Sequence, residues 1–343
     1  MTPFERTAMR RETNESAETV ERLLSRQAET FSRIGATLRD LDPMVLATCA
    51  RGSSDHAASF FKYVAEIGTG IPVASIGPSI ASIYERPLRF RQGAMLSISQ
   101  SGQSPDIVAL QANARAGGAL AIALVNAMGS PLAEGADIVV GLEAGPERSV
   151  AATKSFIAAA VAGAAIVAEW TQDRSLSAGL AALPEALRTS EGADWSALAN
   201  MLRGAESFFV VGRGPAYAIA REAALKAKET SSLHAEAFSI AEMMHGPLQV
   251  VRGTTPILAF VPDDAAARST GALIERLVQA SGSVFSVGCA TSATALPVPV
   301  TGHPISDAIV MIAAYYRTIE TVALSRGFDP DRPDKLAKVT ETH

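Results

Sequence analysis

Apolar residues near the start of the chain follow a helical period. Between Ser16 and Leu41 they recur at about every third or fourth position, and Gln27 is the exception. The apolar residues of this set are Val20, Leu23, Leu24, Phe31, Ile34 and Leu38. Because this spacing aligns them along one face of a helix, it predicts one amphipathic helix that follows a disordered or arm-like start.

Short apolar runs then alternate with helical segments in two series. The first series comprises 44–50, 72–76, 94–99, 119–125 and 137–142, and the second comprises 207–212, 234–237, 256–261, 284–288 and 296–300. Continuous apolar strands separated by helices are typical of parallel sheets covered on both faces. The pattern therefore predicts an α/β fold with two tandem, doubly wound parallel sheets.

A polar helical stretch between the two series marks a connection. It runs from Trp170 to Leu202 and is punctuated by Pro184 and Gly192. A length of 343 residues also suits two domains. We predict five parts: an N-terminal helical arm (1–43), a first sheet domain (44–175), a helical connection (176–200), a second sheet domain (201–326) and a C-terminal tail (327–343).

Composition and charge exclude several classes of function and partner. The net charge is −5 and no run of Lys or Arg occurs, so nucleic acid is not an expected partner. No secretory signal is expected, because the first forty residues are charged and lack an apolar core region. The longest apolar stretch, Ser155 to Trp170, is too short to span a membrane and predicts a buried core helix. Cys49 and Cys289 are expected to be buried free thiols. We therefore expect a soluble cytoplasmic protein without a membrane partner.

Hydroxyl groups cluster where the third strand of the first series ends. Over residues 99–106 a strand meets a helix that begins with Ser104 as N-cap and Pro105 as its first residue. The polar residues of this loop are Ser99, Gln100, Ser101 and Ser104. Because a helix N-terminus offers free N–H groups and a positive dipole end, the loop predicts a phosphate site.

A second hydroxyl pair opens the helix after the first strand. Gly52 is followed by Ser53 and Ser54, on the same carboxyl edge of the predicted sheet. Serines also cap helices without binding any ligand, and for this pair alone capping explains the sequence equally well. The larger cluster at 99–104 favours phosphate binding for both loops.

The two halves of the chain look like distant copies. "ATCARGSSDHAASFFKYVAE" and "FVVGRGPAYAIAREAALKAKE" both run from a strand through an Arg-Gly turn into a helix. The third strands differ, because the first ends in "SISQSGQSPD" and the second in "AFVPDDAAAR", where two carboxylates replace the serines. One phosphate site per chain is therefore expected, in the first half.

These segments resemble the sugar isomerase (SIS) family over nearly the whole chain after residue 44. The resemblance is carried by "RGSSDHA", "SQSGQSPD", "VAATKSF", "GRGPAYAIAREAALKAKE", "HAEAF", "HGPL" and "DPDRPDKLAKVT". It implies flavodoxin-like domains and a phosphosugar substrate. Val150 and Ala337 join the implied substrate-binding residues.

The resemblance extends to two branches of the family. The chain is similar to the isomerase half of glucosamine-6-phosphate synthase, but it has neither a glutaminase domain nor its N-terminal cysteine, so no glutamine hydrolysis is expected. Arg51 stands where the synthase has a cysteine, and Ala152 where it has a serine. "SPDI", "ALVN" and "AEWTQDRSL" look more like the SIS-type glucosamine-6-phosphate deaminase, which implies conversion of glucosamine 6-phosphate to fructose 6-phosphate and ammonia.

Moving a proton between C1 and C2 of an open-chain amino sugar requires a carboxylate that reaches both carbons. On the predicted helix 215–229, Glu222, Lys226 and Glu229 share an arc of roughly 60° opposite an alanine-rich face. This spacing alone favours a solvated row of salt bridges over an active-site wall. The resemblance reverses that preference: it implies that Glu229 transfers the proton and that Glu222 and Lys226 surround the sugar. Lys228 lies off this arc and is expected to be structural.

Two further catalytic residues follow from the resemblance. His245 would open the sugar ring, delivered by the neighbouring subunit of a homodimer, although a lone histidine is usually just packed. Lys338 would lie in a closing tail and form a Schiff base or position the substrate, although a lysine near a terminus is usually solvent-exposed.

No metal or other cofactor is expected. The five histidines are scattered, and "GRGPAY" lacks the third glycine of a dinucleotide fingerprint. Two alternatives to the deaminase stay open: a related isomerase, deaminase or deglycase acting on galactosamine 6-phosphate or fructosamine 6-phosphate, and a non-catalytic phosphosugar sensor. The presence of Glu229, His245 and Lys338 together argues against the sensor.

Overall fold

The apolar runs predicted as strands form two five-stranded parallel sheets in the described part of the chain. The strands of the first are β1 (Val45–Cys49), β2 (Val73–Ser75), β3 (Gly93–Ser99), β4 (Ala119–Val125) and β5 (Ile138–Gly141). Those of the second are β6 (Ser207–Gly212), β7 (His234–Ser239), β8 (Ile257–Val261), β9 (Val284–Gly288) and β10 (Thr294–Leu296). The strand orders are β2-β1-β3-β4-β5 and β10-β9-β8-β6-β7, which confirms the predicted fold class.

The computed structural model describes residues 7–289 and 292–338, and the chain divides into two compact units. Unit A contains the first sheet and comprises residues 18–146 and 154–181. Unit B contains the second sheet and comprises 7–17, 147–153 and the described residues from 182 to 338. The predicted arm, second domain and tail include 1–6, 290–291 and 339–343, which lie outside the described residues, and the five-part division stays a prediction.

Helices cover these sheets. In chain order they are α1 (Ala8–Asn14), α2 (Ser16–Arg26), α3 (Ala28–Leu41), α4 (Ser53–Thr69), α5 (Ser79–Ser82), α6 (Pro105–Ala116), α7 (Pro131–Glu134), α8 (Lys154–Thr171), α9 (Arg174–Thr189), α10 (Ser196–Arg203), α11 (Pro215–Ser231), α12 (Ile240–Met243), α13 (Ala267–Ala280) and α14 (Pro304–Ser325). By length and composition α8 and α14 could cross a membrane, but nearly all of each is buried in the protein, as in core helices. The core helix predicted over Ser155 to Trp170 is thus confirmed as α8.

Both sheets reverse their strand order at equivalent points. In unit A the reversal lies between β1 and β3, which pair in parallel with Cys49 opposite Ser97. In open α/β sheets, ligands bind beyond the carboxyl ends of the strands at such a point. The two serine-bearing loops leave the sheet there, because one follows β1 and the other follows β3.

The N-terminal region differs from its prediction in two ways. The single helix over 16–41 is wrong, because Gln27 leaves helical geometry (φ −103°, ψ 6°) and separates α2 from α3, while its side-chain amide donates to Glu143. The arm-like start is wrong for α1, which packs on α14 in unit B. The Asp331 carboxylate caps α1 by accepting from the N–H groups of Ala8 and Met9 at 2.6 and 2.7 Å.

Two smaller expectations also fail. The strand predicted over 296–300 ends at Leu296, because Pro297 cannot donate to a ladder and its carbonyl instead accepts from the Trp195 indole at 2.8 Å. Cys49 is a buried free thiol as predicted, whereas Cys289 is a free thiol that is only partly buried.

The Arg-Gly turns of the two copies share one backbone geometry. Gly52 has φ 56° and ψ −133°, and Gly214 has φ 57° and ψ −133°. Both glycines stand at the N-cap of a helix in a conformation that residues with a Cβ rarely adopt. The matching dihedral angles support the internal repeat inferred from the sequence.

One guanidinium caps two helices in unit B. Arg326 Nη1 donates to the carbonyls of Leu202, Arg203 and Ala205 at 3.3, 3.0 and 2.8 Å, and its Nε donates to the carbonyl of Ser231 at 3.2 Å. These carbonyls lie at or just beyond the C-terminal ends of α10 and α11, where backbone acceptors lack helical partners and a positive charge is favourable.

Replacement of Arg326 by Met should lower the free energy of unfolding by about 2–4 kcal/mol, because several carbonyls lose a charged donor. Urea unfolding followed by circular dichroism measures the change. Arg203→Met is the control: this exposed arginine donates to Asn200 at 3.2 Å, and its loss should cost less than about 0.5 kcal/mol. Equal stability of the two variants would contradict the capping role.

Candidate functional site

The serine loop after β3 folds around its own hydroxyl groups in unit A. Ser99 Oγ accepts the N–H of Gly102 at 3.1 Å, and Ser101 Oγ accepts the N–H of Gln103 at 3.3 Å. Ser104 is the N-cap residue of α6 with an extended backbone, but its side chain makes no capping hydrogen bond. The predicted N-cap position of Ser104 is thus confirmed, although its hydroxyl does not cap the helix.

Ser53 and Ser54 begin α4 after β1 and are half-buried. Since β1 and β3 are parallel neighbours, the N-termini of α4 and α6 meet at the same edge of the sheet. The structure therefore brings together the predicted phosphate residues of both loops, with Gln100 half-buried beside Ser99. Converging N–H groups and hydroxyls suit an anion without requiring a lysine.

The turn at 126–132 supports the serine loop, and sequence reasoning missed this role. The N–H groups of Asn126 and Leu132 donate to the carbonyls of Gln100 and Gly102, each at 3.2 Å. A Cβ on Gly102, which has φ 63°, would lie 2.0 Å from Ser130 Oγ. Only glycine fits at this point of the loop. A turn sequence such as 126–131 carries no signal that would have identified this role.

The acid–lysine–acid row of α11 is buried in unit B. Glu222 and Lys226 have no exposed side-chain surface, with Nζ 3.4 Å from Glu222 Oε1. Lys226 also donates to Glu229 Oε2, and the Tyr316 hydroxyl of α14 donates to Glu222 Oε1 at 3.0 Å. The solvated salt-bridge face that spacing alone favoured is therefore wrong. Buried charges of this kind persist when they are paired.

Burial and charge shift the proton affinities of this cluster. Burial lowers the pKa of Lys226, but attraction from the carboxylates of Glu222 and Glu229 outweighs it, and the pKa is raised above 10.5. Burial, and then the Glu222 charge, raise the pKa of Tyr316 well above 10. Lys226 is thus an ammonium and Tyr316 a neutral donor at neutral pH.

Glu229 lies at the wall of a cavity of about 580 Å³ in unit B. The end of α11 supplies one wall, including Lys228 and Glu229, and residues 327–336 supply the other. Glu229 keeps 21% of its side chain exposed. Lys228 is exposed and lines this cavity, and its structural role stays a prediction.

The C-terminal segment is held against residues 147–153. Lys338 Nζ donates to the Ser149 carbonyl at 2.6 Å and lies 3.4 Å from the buried carboxylate of Glu147. The N–H of Val150 donates to the Asp331 carbonyl at 3.3 Å. Ala337 is exposed on this segment. Sequence reasoning missed Glu147, since no spacing pattern distinguishes it from a surface glutamate.

His245 occupies the turn after α12 in unit B and is exposed, and its N–H donates to the Glu242 carbonyl at 2.9 Å. In the described part of the chain it does not line the cavity beside Glu229. The structure thus places the predicted serines in unit A and Glu222, Lys226, Glu229, Lys338, Val150, Ala337 and His245 in unit B. Within 7–289 and 292–338 no three His, Cys, Asp or Glu side chains form a metal-binding group.

Known proteins give the family context of these features. The SIS domain family matches residues 45–168 and 201–292. A glutamine–fructose-6-phosphate aminotransferase (isomerizing) from Symbiobacterium thermophilum is 32% identical over 340 residues, which cover 90% of this chain and 54% of that protein. The chain spans about half the length of the curated relatives it matches.

Two solved structures extend the comparison. A candidate phosphosugar isomerase from Silicibacter pomeroyi DSS-3 is 43% identical, with a TM-score of 0.90 and coverage of 95% of this chain and 100% of that chain. The glucosamine-6-phosphate deaminase of Thermotoga maritima is 18% identical, with a TM-score of 0.77 and coverage of 98% and 100%. The second likeness establishes a shared fold alone.

Replacement of Tyr316 by Phe should flatten the alkaline decline of stability. Above pH 10 the unfolded chain releases the phenol proton that the folded chain retains, so the free energy of unfolding falls with rising pH. The slope from this one group reaches about 1.4 kcal/mol per pH unit. The stability advantage of the native protein over Tyr316→Phe should therefore be constant below pH 10 and shrink above it.

Urea unfolding at several pH values between about 8 and 11 measures this difference across the range in which tyrosine titrates. Tyr84→Phe is the control, because Tyr84 is 66% exposed and its replacement should leave the curve unchanged. Parallel plots of the free energy of unfolding against pH for the native protein and Tyr316→Phe would contradict the raised pKa of Tyr316.

Proposed function

The chain belongs to the SIS domain family, and on that basis we propose that it is a phosphosugar isomerase that deaminates glucosamine 6-phosphate to fructose 6-phosphate and ammonia. One observation carries the proposal: the carboxylate of Glu229 is held by the buried ammonium of Lys226 at the wall of a cavity. The names of the relatives support the substrate class, since one is named as a fructose-6-phosphate aminotransferase and another as a glucosamine-6-phosphate deaminase. A cytoplasmic homodimer is part of the proposal.

The substrate phosphate is assigned to the serine-bearing loops of unit A. Hydroxyl groups of Ser54, Ser99, Ser101 and Ser104 and the N-terminal amides of α4 and α6 would donate to its oxygens. Gly52, Ser53 and Gln100 shape the same edge of the sheet. Binding by neutral donors leaves the reacting end of the sugar free.

Glu229 is assigned the proton transfer. After ring opening exposes the C1 aldehyde, the carboxylate takes the C2 proton, O1 gains a proton, and an enaminol forms. The same carboxylate returns its proton to C1 while the amino group loses one, which gives the C2 ketimine. Water adds to C2, ammonia leaves, and fructose 6-phosphate remains. Proton transfer and hydrolysis need no cofactor.

Neighbouring groups of unit B are assigned supporting roles. Lys226 fixes the Glu229 carboxylate, and Glu222 with Tyr316 fixes Lys226. Lys338 would position the open-chain sugar, by hydrogen bonding or as a Schiff base, together with Val150 and Ala337 on the segments it joins. His245, supplied across the homodimer interface, would open the ring as a proton shuttle.

Glu229→Gln should lower kcat by about 10²–10⁴-fold, because the amide cannot accept the C2 proton. Binding of fructose 6-phosphate should persist, because the phosphate residues are unchanged. Coupled ammonia release measures turnover, and isothermal titration calorimetry measures binding. Glu275→Gln, an exposed glutamate of α13, serves as the matched control and should behave as the native enzyme. An active Glu229→Gln enzyme would refute the assignment.

A panel of phosphosugars tests the substrate. Ammonia release from glucosamine 6-phosphate should have the highest kcat/KM, ahead of galactosamine 6-phosphate and fructosamine 6-phosphate. A higher value for either of the others transfers the assignment to that substrate. Tight binding of fructose 6-phosphate without turnover of any member would favour a non-catalytic sensor instead.

A further inference from the structure

Asp106 places a negative charge at the helix end on which the serine loop depends. It is the second residue of α6, its side chain is only 3% exposed, and its Oδ1 accepts the N–H of Ile107 at 2.9 Å. A phosphate at the loop would use the positive end of the same helix dipole. An uncompensated Asp106 carboxylate would therefore repel a phosphate dianion held by Ser99 and Ser104.

Arg51 supplies a compensating charge from the other serine-bearing loop. Its Nε and Nη2 donate to Asp106 Oδ2 at 3.0 and 2.7 Å. Arg51 directly precedes Gly52 and Ser53, so this ion pair ties the loop after β1 to the first turn of the helix after β3. The Arg51 side chain remains 53% exposed at this edge of the sheet.

The pKa of the Cys49 thiol depends on the same charges. Burial, and then the charge of Asp106, raise the pKa of Cys49 to about 12, while Arg51 lowers it and Asp55 raises it. Asp55 belongs to the first turn of α4, as Asp106 belongs to that of α6. Arg51 is thus a cation set among carboxylates at the two helix ends assigned to the phosphate.

We propose that Arg51 is a positioning residue of the phosphate site: through Asp106 it locks the two serine-bearing loops together and cancels a carboxylate charge that would weaken binding of a phosphate dianion. The inference rests on the proposed function, because that function assigns the phosphate to these loops. It also gives a role to the position at which the sequence departs from the synthase pattern, where a neutral cysteine could not pair with Asp106. Charge at residue 51 then governs affinity rather than the chemical step.

Arg51→Met should raise the Kd for fructose 6-phosphate and the KM for glucosamine 6-phosphate by about tenfold or more, because it removes the guanidinium charge that Arg51 places on Asp106. The kcat should stay within about threefold, since Glu229 and its neighbours are unchanged. The double variant Arg51→Met/Asp106→Asn removes the carboxylate charge of Asp106 as well and should recover most of the lost affinity. Arg51→Gln repeats the test with a different neutral side chain.

Arg115→Met is the matched control. Arg115 lies at the other end of α6, is 51% exposed, and pairs with Asp137 through Nη2 and Oδ1 at 2.6 Å. Its replacement removes an arginine–aspartate pair from the same helix without touching the serine-bearing loops, so the Kd should not change. Thermal unfolding of every variant checks that the fold is retained.

An unchanged Kd in both Arg51 variants would overturn the proposal. So would a double variant that binds no better than Arg51→Met, or an equal loss of affinity in Arg115→Met. A native protein that binds fructose 6-phosphate but releases no ammonia refutes the deaminase assignment alone and leaves this inference standing. A native protein that binds neither the sugar nor inorganic phosphate refutes the phosphate site and this inference together.

Discussion

A lysine ammonium with no exposed surface persists in a protein only where carboxylates compensate its charge, and Lys226 meets this condition between Glu222 and Glu229. This need for charge compensation determines which side chains surround Lys226 in unit B. Glu222 is anchored in turn by the Tyr316 hydroxyl from α14, so the second long core helix fixes the orientation of α11. Glu229, the last member of the row, carries its charge to the rim of the buried cluster, where the cavity begins. The buried charge of Lys226 thereby fixes the position of Glu229, the carboxylate to which we assign the proton transfer.

Much of the architecture was predictable, because burial on both faces leaves a direct trace in the sequence. Apolar runs such as 94–99 and 119–125 identified their strands, and the repeated Arg-Gly turn identified the duplication. The failures arose where distant residues decide the structure. The first helix depends on Asp331, more than 300 residues away, and the break at Gln27 accompanies a contact with Glu143. No local pattern contains such information.

The candidate site likewise contains some features that the sequence predicts and others that it does not. Serines that cluster at a strand end follow from sequence, since the topology of a parallel sheet gathers its carboxyl ends. The burial of Glu222 and Lys226 does not follow, because a spacing of four residues is the same for a solvated ion pair and a buried one. Asp106 and Arg51 lie 55 residues apart, and only the pairing of β1 with β3 explains why they meet. The second copy retains the turn and the arginine, but Asp263 and Asp264 follow its third strand in place of the serines.

The cap that Asp331 places on α1 links regions of the chain that are remote in sequence. One carboxylate receives two amides of the first helix, and the carbonyl of the same residue accepts from Val150 on the segment that holds Lys338. Asp331 thus joins the N-terminal helix to the segment whose Ser149 carbonyl accepts from Lys338. A fluorophore or spin label attached near residue 11 would report any displacement of Asp331, which lies over 300 positions downstream.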